Sequence, residues 1–183
     1  MKFILKKYEE KCNKQSDINE HLPILKKYAE GCDFVVEMGV RWVVSTWALL
    51  AGNPKKMISY DTKPPSAYGV SIEEVYSAAK EANIDFEFIL QDDLTVTLSN
   101  VDLLFIDTFH DYGQLIQELN LHHNGVNKYI ALHDTTLFGE KSQIPGNRGL
   151  WYAVEEFLSN HPEWKVHERY TNNNGLTILK KTQ

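Results

Sequence analysis

The stretch Asp33-Phe-Val-Val-Glu-Met-Gly-Val-Arg-Trp-Val-Val-Ser-Thr46 decides the fold of this chain. Its apolar, β-branched residues from Phe34 to Val36 predict a buried strand that ends at Glu37. Gly39 then predicts a tight turn, and the apolar run from Trp47 to Ala51 predicts a helix. A strand, a glycine turn and a helix in this order are typical of the first unit of an α/β nucleotide-binding fold.

The same alternation continues to the end of the chain. Further strands are predicted at residues 56–61, 86–90, 101–106, 128–132, 164–168 and 176–179, and helices at 18–29, 71–82, 112–119 and 150–158. The helix at 71–82 carries a capping-box pattern at Ser71 and Glu74. Asn172-Asn-Asn-Gly175 predicts a hairpin turn between the last two strands. We therefore predict an α/β, Rossmann-like, seven-stranded, mostly parallel sheet with an antiparallel C-terminal strand pair and helices on both faces.

Composition narrows the class of protein. A chain of 183 residues suits one domain, 1–183, in which an N-terminal helical segment (1–30) precedes a Rossmann-like core (31–183). Its 25 acidic and 19 basic residues, with lysines in scattered doublets, argue against a nucleic-acid partner. No apolar run approaches the roughly 20 residues of a membrane span, and no secretory signal is recognised. Cys12 and Cys32 lack metal-ligand or redox spacing, so we expect reduced thiols in a cytoplasmic protein.

Acidic residues follow the predicted parallel strands at the point where each strand ends. They are Glu37, Asp61, Asp92 with Asp93, Asp107, and Asp134 after His133. Any one of them is explained more simply as a helix cap. Together they predict a ligand site, because the carboxyl ends of parallel strands meet at one edge of the sheet.

Asp61 is the candidate for ribose recognition. It ends the second predicted strand about 20 residues beyond the glycine turn, where a carboxylate can accept both hydroxyls of a ribose. A capping role explains Asp61 less well, because no helix is predicted to start directly after it.

Asp107 and Asp134 are candidate metal ligands. If their strands are neighbours, about 5 Å apart, the two carboxylates repel unless a cation lies between them or one is protonated. Oxygen ligands suit Mg²⁺, and an added imidazole favours Mn²⁺ or another transition ion. His110, three residues beyond Asp107, is a candidate base as a neutral imidazole near pH 7. The alternatives are that His110 caps the next helix and that His133 is a core histidine.

The remaining histidines receive no functional role from the sequence. His122 and His123 are expected to be solvated, and no partner is evident for His21, His161 or His167. Trp42 is expected to lie in the core rather than at the edge of a pocket.

Three phrases carry a resemblance to a known family: Val-Glu-Met-Gly-Val-Arg from Val36, Leu-Phe-Ile-Asp-Thr-Phe-His from Leu104, and Ala-Leu-His-Asp-Thr from Ala131. With them, residues 30–180 resemble class I S-adenosylmethionine (SAM)-dependent methyltransferases. The chain is most similar to small-molecule O-methyltransferases of the catechol and macrolide-sugar type and to the cephalosporin-hydroxylase-like branch. It differs at Arg41 and Val43, where the family often has glycine, and it lacks the asparagine of the catechol-type metal site.

The resemblance implies a role for each matching residue. Glu37 and Gly39 would border the methionine part of SAM, Asp61 would hold the ribose, and Asp92 and Asp93 would meet the adenine. Asp107, which also borders the cofactor, and Asp134 would bind Mg²⁺ or Mn²⁺, with His133 as a third ligand. Asp107 and His110 would be catalytic, with His110 as the base.

The implied reaction is methyl transfer to a hydroxyl of a small-molecule substrate, assisted by the metal. The loop from Thr135 to Asn147 is then a candidate substrate lid. A SAM- or nucleotide-binding protein without catalysis and an NAD-dependent oxidoreductase remain alternatives, although the glycine pattern of the latter is missing after Gly39. The sequence leaves the acceptor and the oligomeric state open, including a homo-oligomer.

Overall fold

The computed structural model describes residues 1–182, which form one seven-stranded sheet with helices on both faces. The strands are β1 (Phe34–Met38), β2 (Lys56–Asp61), β3 (Asp85–Leu90), β4 (Val101–Ile106), β5 (Val126–His133), β6 (Trp164–Tyr170) and β7 (Leu176–Lys181). They lie in the order β3-β2-β1-β4-β5-β7-β6. Only β7 is antiparallel to its neighbours β5 and β6; the other pairs are parallel. The predicted fold class is confirmed.

Six α-helices cover the two faces of this sheet within the described range. They are α1 (Lys2–Asn13), α2 (Leu22–Ala29), α3 (Ser45–Ala51), α4 (Glu73–Glu81), α5 (Tyr112–His122) and α6 (Leu150–Asn160). Successive side chains of a strand point to opposite faces. Val35 accordingly packs in the apolar cluster beneath α1 to α4, and Val36 in the cluster beneath α5 and α6. No helix among the described residues is long and apolar enough to cross a membrane.

Two local predictions are confirmed, one is corrected, and one open segment is assigned. Pro23 lies in the first turn of α2, and the turn before β7 has positive φ angles at Asn173, Asn174 and Gly175. The predicted capping box does not form, because α4 begins at Glu73 and the Ser71 hydroxyl accepts from the Glu73 amide at 3.2 Å. Residues 2–13, which the sequence left open, form a helix.

The strand order creates the edge at which a site can form. β1 lies between β2 and β4, so the chain adds strands first on one side of β1 and then on the other. Ligands of open α/β sheets bind at such a switch point, outside the carboxyl ends of the strands. The register brings Met38, the last residue of β1, beside Tyr60 of β2 and Ile106 of β4. The residues that follow these three strand ends therefore face one another.

Candidate functional site

A cavity of about 350 Å³ opens at this switch point. Five residues singled out from the sequence line it: Gly39, Asp61, Asp92, Asp93 and Asp107. The sequence analysis missed the other lining residues, namely Arg41, Tyr60, Thr62, Lys63, Tyr68, Gln91, Thr108, Phe109 and Gln114. Arg41 was noted only as a departure from the family pattern, and Thr108 and Phe109 only as part of the phrase that begins at Leu104. The others carry no distinctive local motif. The cavity is within the size range of small-molecule sites.

Gly39 makes the turn at the floor of the cavity. Its amide donates to the carbonyl of Tyr60 at 2.9 Å, and its φ angle is +88°. A Cβ atom at this position would lie 1.9 Å from the carbonyl oxygen of Asp107, which is closer than any real contact. The backbones after β1 and β4 therefore approach so closely that only glycine fits.

Asp61 holds the same turn from the end of β2. One carboxylate oxygen accepts from the amides of Val40 and Arg41 at 2.9 and 3.0 Å, and the other accepts from the amide of Lys63 at 2.9 Å. Arg41 and Val43 have φ angles of +46° and +58°, a conformation that favours glycine. The turn thus keeps a glycine-like path although side chains replace glycine at both positions.

Glu37 lies within β1 and does not end the strand, which corrects the sequence prediction. Its side chain is fully buried and is outside the cavity lining of the described residues. The carboxylate accepts from the hydroxyls of Ser45 at 2.6 Å, Thr46 at 2.8 Å and Ser59 at 2.7 Å. Burial raises the pKa of Glu37 to about 7 in spite of these three hydrogen bonds. In this structure Glu37 anchors the start of α3 to the sheet.

Asp92 and Asp93 follow β3 and have different surroundings. Asp92 accepts from the amide of Leu94 at 3.0 Å and is exposed, whereas Asp93 is buried. The side-chain nitrogen of Gln114 donates to Asp93 at 3.4 Å and to the buried Glu118 at 2.8 Å. Burial, and secondly the nearby Asp93 carboxylate, raise the pKa of Glu118 well above its usual range.

A second group of polar residues lies beside the cavity, at the ends of β4 and β5. Possible ligand atoms of Asp107, His110 and Asp134 all lie within 4.8 Å of one another. Nε2 of His110 is 2.7 Å from Asp134 and 3.5 Å from Asp107. His133 lies behind them and is buried, with Nδ1 at 3.5 Å from Asp107 and 3.4 Å from Asp134. The sequence placed His133 in the ligand set, whereas the structure brings His110 into the cluster.

The loop predicted as a lid packs onto His110. The ring of Phe138 stacks on the imidazole with centroids 4.6 Å apart and planes inclined by 6°. The side-chain oxygen of Gln143 accepts from Nδ1 of His110 at 2.9 Å, and the backbone amide of Gln143 donates to the His110 carbonyl at 3.1 Å. Because Nδ1 is used in this way, Nε2 is the ring atom directed at Asp107 and Asp134. No sequence signal linked Gln143 to His110, since their contact depends on the loop's tertiary path.

The two carboxylates control the protonation of both histidines. Burial lowers the pKa of His110, but its contacts with Asp107 and Asp134 outweigh burial and raise the pKa to about 9. Burial also lowers the pKa of His133, but the two aspartates outweigh burial and raise this pKa to about 10. Burial raises the pKa of Asp107, but the histidines reverse this and hold it well below its usual range. In the absence of a cation, this raised pKa favours the imidazolium form of His110 at neutral pH.

The other histidines also differ from expectation. His122 and His123 are buried, although adjacent positions on a polar-looking helix had indicated solvation. His21 is buried as well; its Nε2 donates to the carbonyl of Asn172 at 2.9 Å, and its ring contacts that of His133 edge-on at 5.8 Å. Trp42 is exposed rather than in the core, with the guanidinium of Arg41 3.8 Å from its ring centroid.

Comparison with solved structures finds this fold in proteins of low sequence identity. A methyltransferase from Podospora anserina bound to SAH is 15% identical with a TM-score of 0.63, over 98% of this chain and 88% of that one. An O-methyltransferase from Bacillus cereus in complex with SAH is 13% identical, with a TM-score of 0.61 and coverages of 89% and 81%. The O-methyltransferase TomG from Streptomyces achromogenes, in complex with SAM, is 15% identical, with a TM-score of 0.60 and coverages of 90% and 81%.

These similarities establish the fold. The resemblance inferred from the sequence is therefore confirmed at that level. No family model and no curated protein sequence matches the chain.

Proposed function

We propose that this protein is a SAM-dependent methyltransferase that methylates a hydroxyl group of a small molecule with the assistance of a divalent cation. The observation that carries the proposal is the cavity at the switch point, where Gly39, Asp61, Asp93 and Asp107 come together from four separate segments of the chain. Solved proteins with this fold include O-methyltransferases in complex with SAM or SAH. The mildly acidic chain suits a small-molecule substrate better than nucleic acid.

The cavity residues fit an adenosyl sulfonium. Gly39 lines the cavity at the turn, and Asp61 retains lone pairs for the ribose hydroxyls beyond its three amide contacts. Asp92, Asp93 and Asp107 line the cavity, where the two former would meet the adenine and Asp107 would border the methionine part. Glu37 cannot touch the cofactor directly from its buried position, so we assign it the positioning of α3 and of the turn before it.

The residues at the ends of β4 and β5 fit a divalent cation. Asp107 and Asp134 supply two carboxylates, and the buried Oδ1 of Asp134 has no hydrogen-bond partner among the described residues. Carboxylate oxygens suit Mg²⁺ or Mn²⁺. His133 would contact the two aspartates from behind. When bound, such a cation lowers the pKa of a coordinated hydroxyl and fixes its position.

The remaining steps fall to the side chains themselves. With SAM bound, methyl transfer to an acceptor oxygen would require that this oxygen be held at the correct angle and lose its proton. Gln143 and Phe138 fix the His110 ring, and Nε2 is the atom that takes up the proton. The pKa of His110 falls towards neutrality when a second positive charge lies between Asp107 and Asp134, because like charges repel each other. The loop over His110 leaves only 13% of this side chain exposed.

Calorimetric titration and a methyl-transfer assay test the proposal. We expect SAM and SAH to bind to the full chain, NAD not to bind, and a panel of phenolic and sugar hydroxyls to contain a substrate whose methylation requires Mg²⁺ or Mn²⁺. Tight SAM binding without turnover on any hydroxyl would instead favour the catalytically silent binding protein. Binding of NAD in place of SAM would favour the oxidoreductase.

A further inference from the structure

The amino edge of the sheet, opposite the cavity, carries a second cluster of metal-ligand residues. His123 precedes β5, His161 follows α6, and Glu163 directly precedes β6. Possible ligand atoms of these three residues lie within 4.8 Å of one another. Nδ1 of His123 and Nδ1 of His161 point to the same oxygen of Glu163, at 3.7 and 3.6 Å. Two imidazoles and a carboxylate therefore converge from three separate segments.

Hydrogen bonding identifies which atom of His161 faces the centre of the cluster. Its Nε2 lies 3.3 Å from the side-chain oxygen of Asn120, which can only accept. Nε2 consequently carries the ring hydrogen of the neutral imidazole, and Nδ1 presents a lone pair to Glu163. A hydrogen bond to the second ring nitrogen is the usual way in which a metal-binding histidine is oriented.

His123 provides an independent indication that something is missing from the centre. Its side chain is only 7% exposed, and its Nδ1 has no hydrogen-bond partner among residues 1–182. A buried polar atom without a partner is costly, and a buried imidazole prefers its neutral form. The Nδ1 atoms of His123 and His161 thus face the Glu163 carboxylate without a hydrogen bond to it, and a cation at the centre would satisfy all three groups.

The surroundings hold the two rings in this orientation. The ring centroids of His123 and His161 are 4.0 Å apart, and Phe157 packs against both, at 5.5 and 4.6 Å. Lys181 carries a positive charge near the cluster, which would repel a bound cation. Its ammonium donates to the carbonyls of His123 and Val126 at 3.4 and 3.0 Å. Its hydrogen atoms are therefore directed at the backbone, and Glu163 remains available to neutralise a bound ion.

We propose that His123, His161 and Glu163 form a structural site for a first-row transition-metal ion, with Zn²⁺ as the best-suited ion. Zn²⁺ accepts imidazole and carboxylate ligands at about 2.0–2.2 Å, which places ligands about 3.4 Å apart in a tetrahedral site. The observed separations of 3.6 and 3.7 Å need only a small contraction. Three protein ligands leave the fourth position to water. The ion would tie the ends of α5 and α6 to the start of β6.

The test uses the metal-stripped full chain with Asp107→Asn. This substitution removes a metal-ligating carboxylate from the cluster beside the cavity, so that Zn²⁺ binding there is weakened. We expect this protein to bind one equivalent of Zn²⁺ by calorimetry and to give tetrahedral d–d absorption bands with Co²⁺. At about 100 times the dissociation constant, Zn²⁺ should raise the unfolding midpoint by about 5 °C or more.

Single substitutions in this background identify the ligands. His161→Ala and Glu163→Gln alter partly exposed side chains and should each weaken Zn²⁺ binding by about tenfold or more. His167→Ala removes an exposed histidine of β6 and should leave binding unchanged. Circular dichroism without metal checks that each variant folds. The proposal is overturned if Asp107→Asn binds no Zn²⁺ at micromolar concentrations, or if either ligand variant binds Zn²⁺ as tightly as its parent.

Discussion

Nε2 of His110 lies 2.7 Å from Oδ2 of Asp134 and joins the segment after β4 directly to the end of β5. Asp134 reaches this position with a φ angle of +60°, which turns the chain away from the strand direction. This contact brings an imidazole to the pair of carboxylates that we propose as a cation site. It also places this nitrogen, which we propose takes up the substrate proton, directly beside that site.

Replacing Asp134 tests the cation site. Asp134→Asn keeps the shape of the side chain and suits the positive φ angle, because asparagine is frequent in that conformation. We expect metal-dependent methyl transfer to fall by about 100-fold or more, while the affinity for SAM changes by less than about threefold. Steady-state kinetics and calorimetry give the two quantities. The surface variant Asp33→Asn should match wild type, and unchanged turnover in Asp134→Asn would remove Asp134 from the mechanism.

Replacing Asp61 tests the cofactor site. In Asp61→Asn the amide cannot offer two negatively charged oxygens, so one backbone or ribose donor loses its acceptor. We expect the affinity for SAH to fall about tenfold or more, since a hydrogen bond to a charged group contributes roughly 1.5–3 kcal/mol. Calorimetry measures this loss against Asp85→Asn, an exposed aspartate of β3. Equal affinities in the two variants would show that Asp61 only shapes the turn.

Substitutions at two glycines with similar φ angles distinguish the effect of close packing on stability from the effect of backbone strain. Gly39 and Gly69 have φ angles of +88° and +73°, but a Cβ at Gly69 meets no described atom within 4 Å. We expect Gly69→Ala to lower the free energy of unfolding by about 1 kcal/mol and Gly39→Ala by about 3 kcal/mol or more. Urea denaturation measures both. Similar losses would mean that the segments after β1 and β4 can move apart.

Glu37 predicts a pH dependence of stability. Its pKa is raised by burial to about 7 in the folded protein, above its ordinary value of 4.5. Such a group stabilises the fold below the unfolded pKa, and this contribution is lost as the pH rises through the folded pKa. As the pH rises from 4.5 to 7, we expect the loss of this contribution to lower the free energy of unfolding by about 3 kcal/mol.

Glu37→Gln removes this titration, so the difference in stability between wild type and variant should change with pH over that interval. Urea denaturation at several pH values measures the difference. Glu87→Gln, an exposed change on β3, should show no such trend. A constant difference between wild type and Glu37→Gln would show that Glu37 is ionised throughout.

The sequence by itself determined the strands, their order along the chain and the gathering of acidic residues at one edge. Apolar runs of β-branched residues between helical repeats leave few alternatives to a parallel sheet, and parallel strands place their carboxyl ends together. Gly39, Asp61, Asp92, Asp93 and Asp107 line one cavity, whereas Glu37 and Asp134 of the same acidic set are outside its lining.

Only the tertiary structure decided where individual side chains point. Successive residues of a strand face opposite ways, so one position of register separates a cavity residue from a buried one. Glu37 is buried against three hydroxyls, and His110 rather than His133 completes the cluster with Asp107 and Asp134. His123, His161 and Glu163 meet because the chain ends of α5, α6 and β6 pack together. Such contacts depend on long-range packing, which no local sequence pattern records.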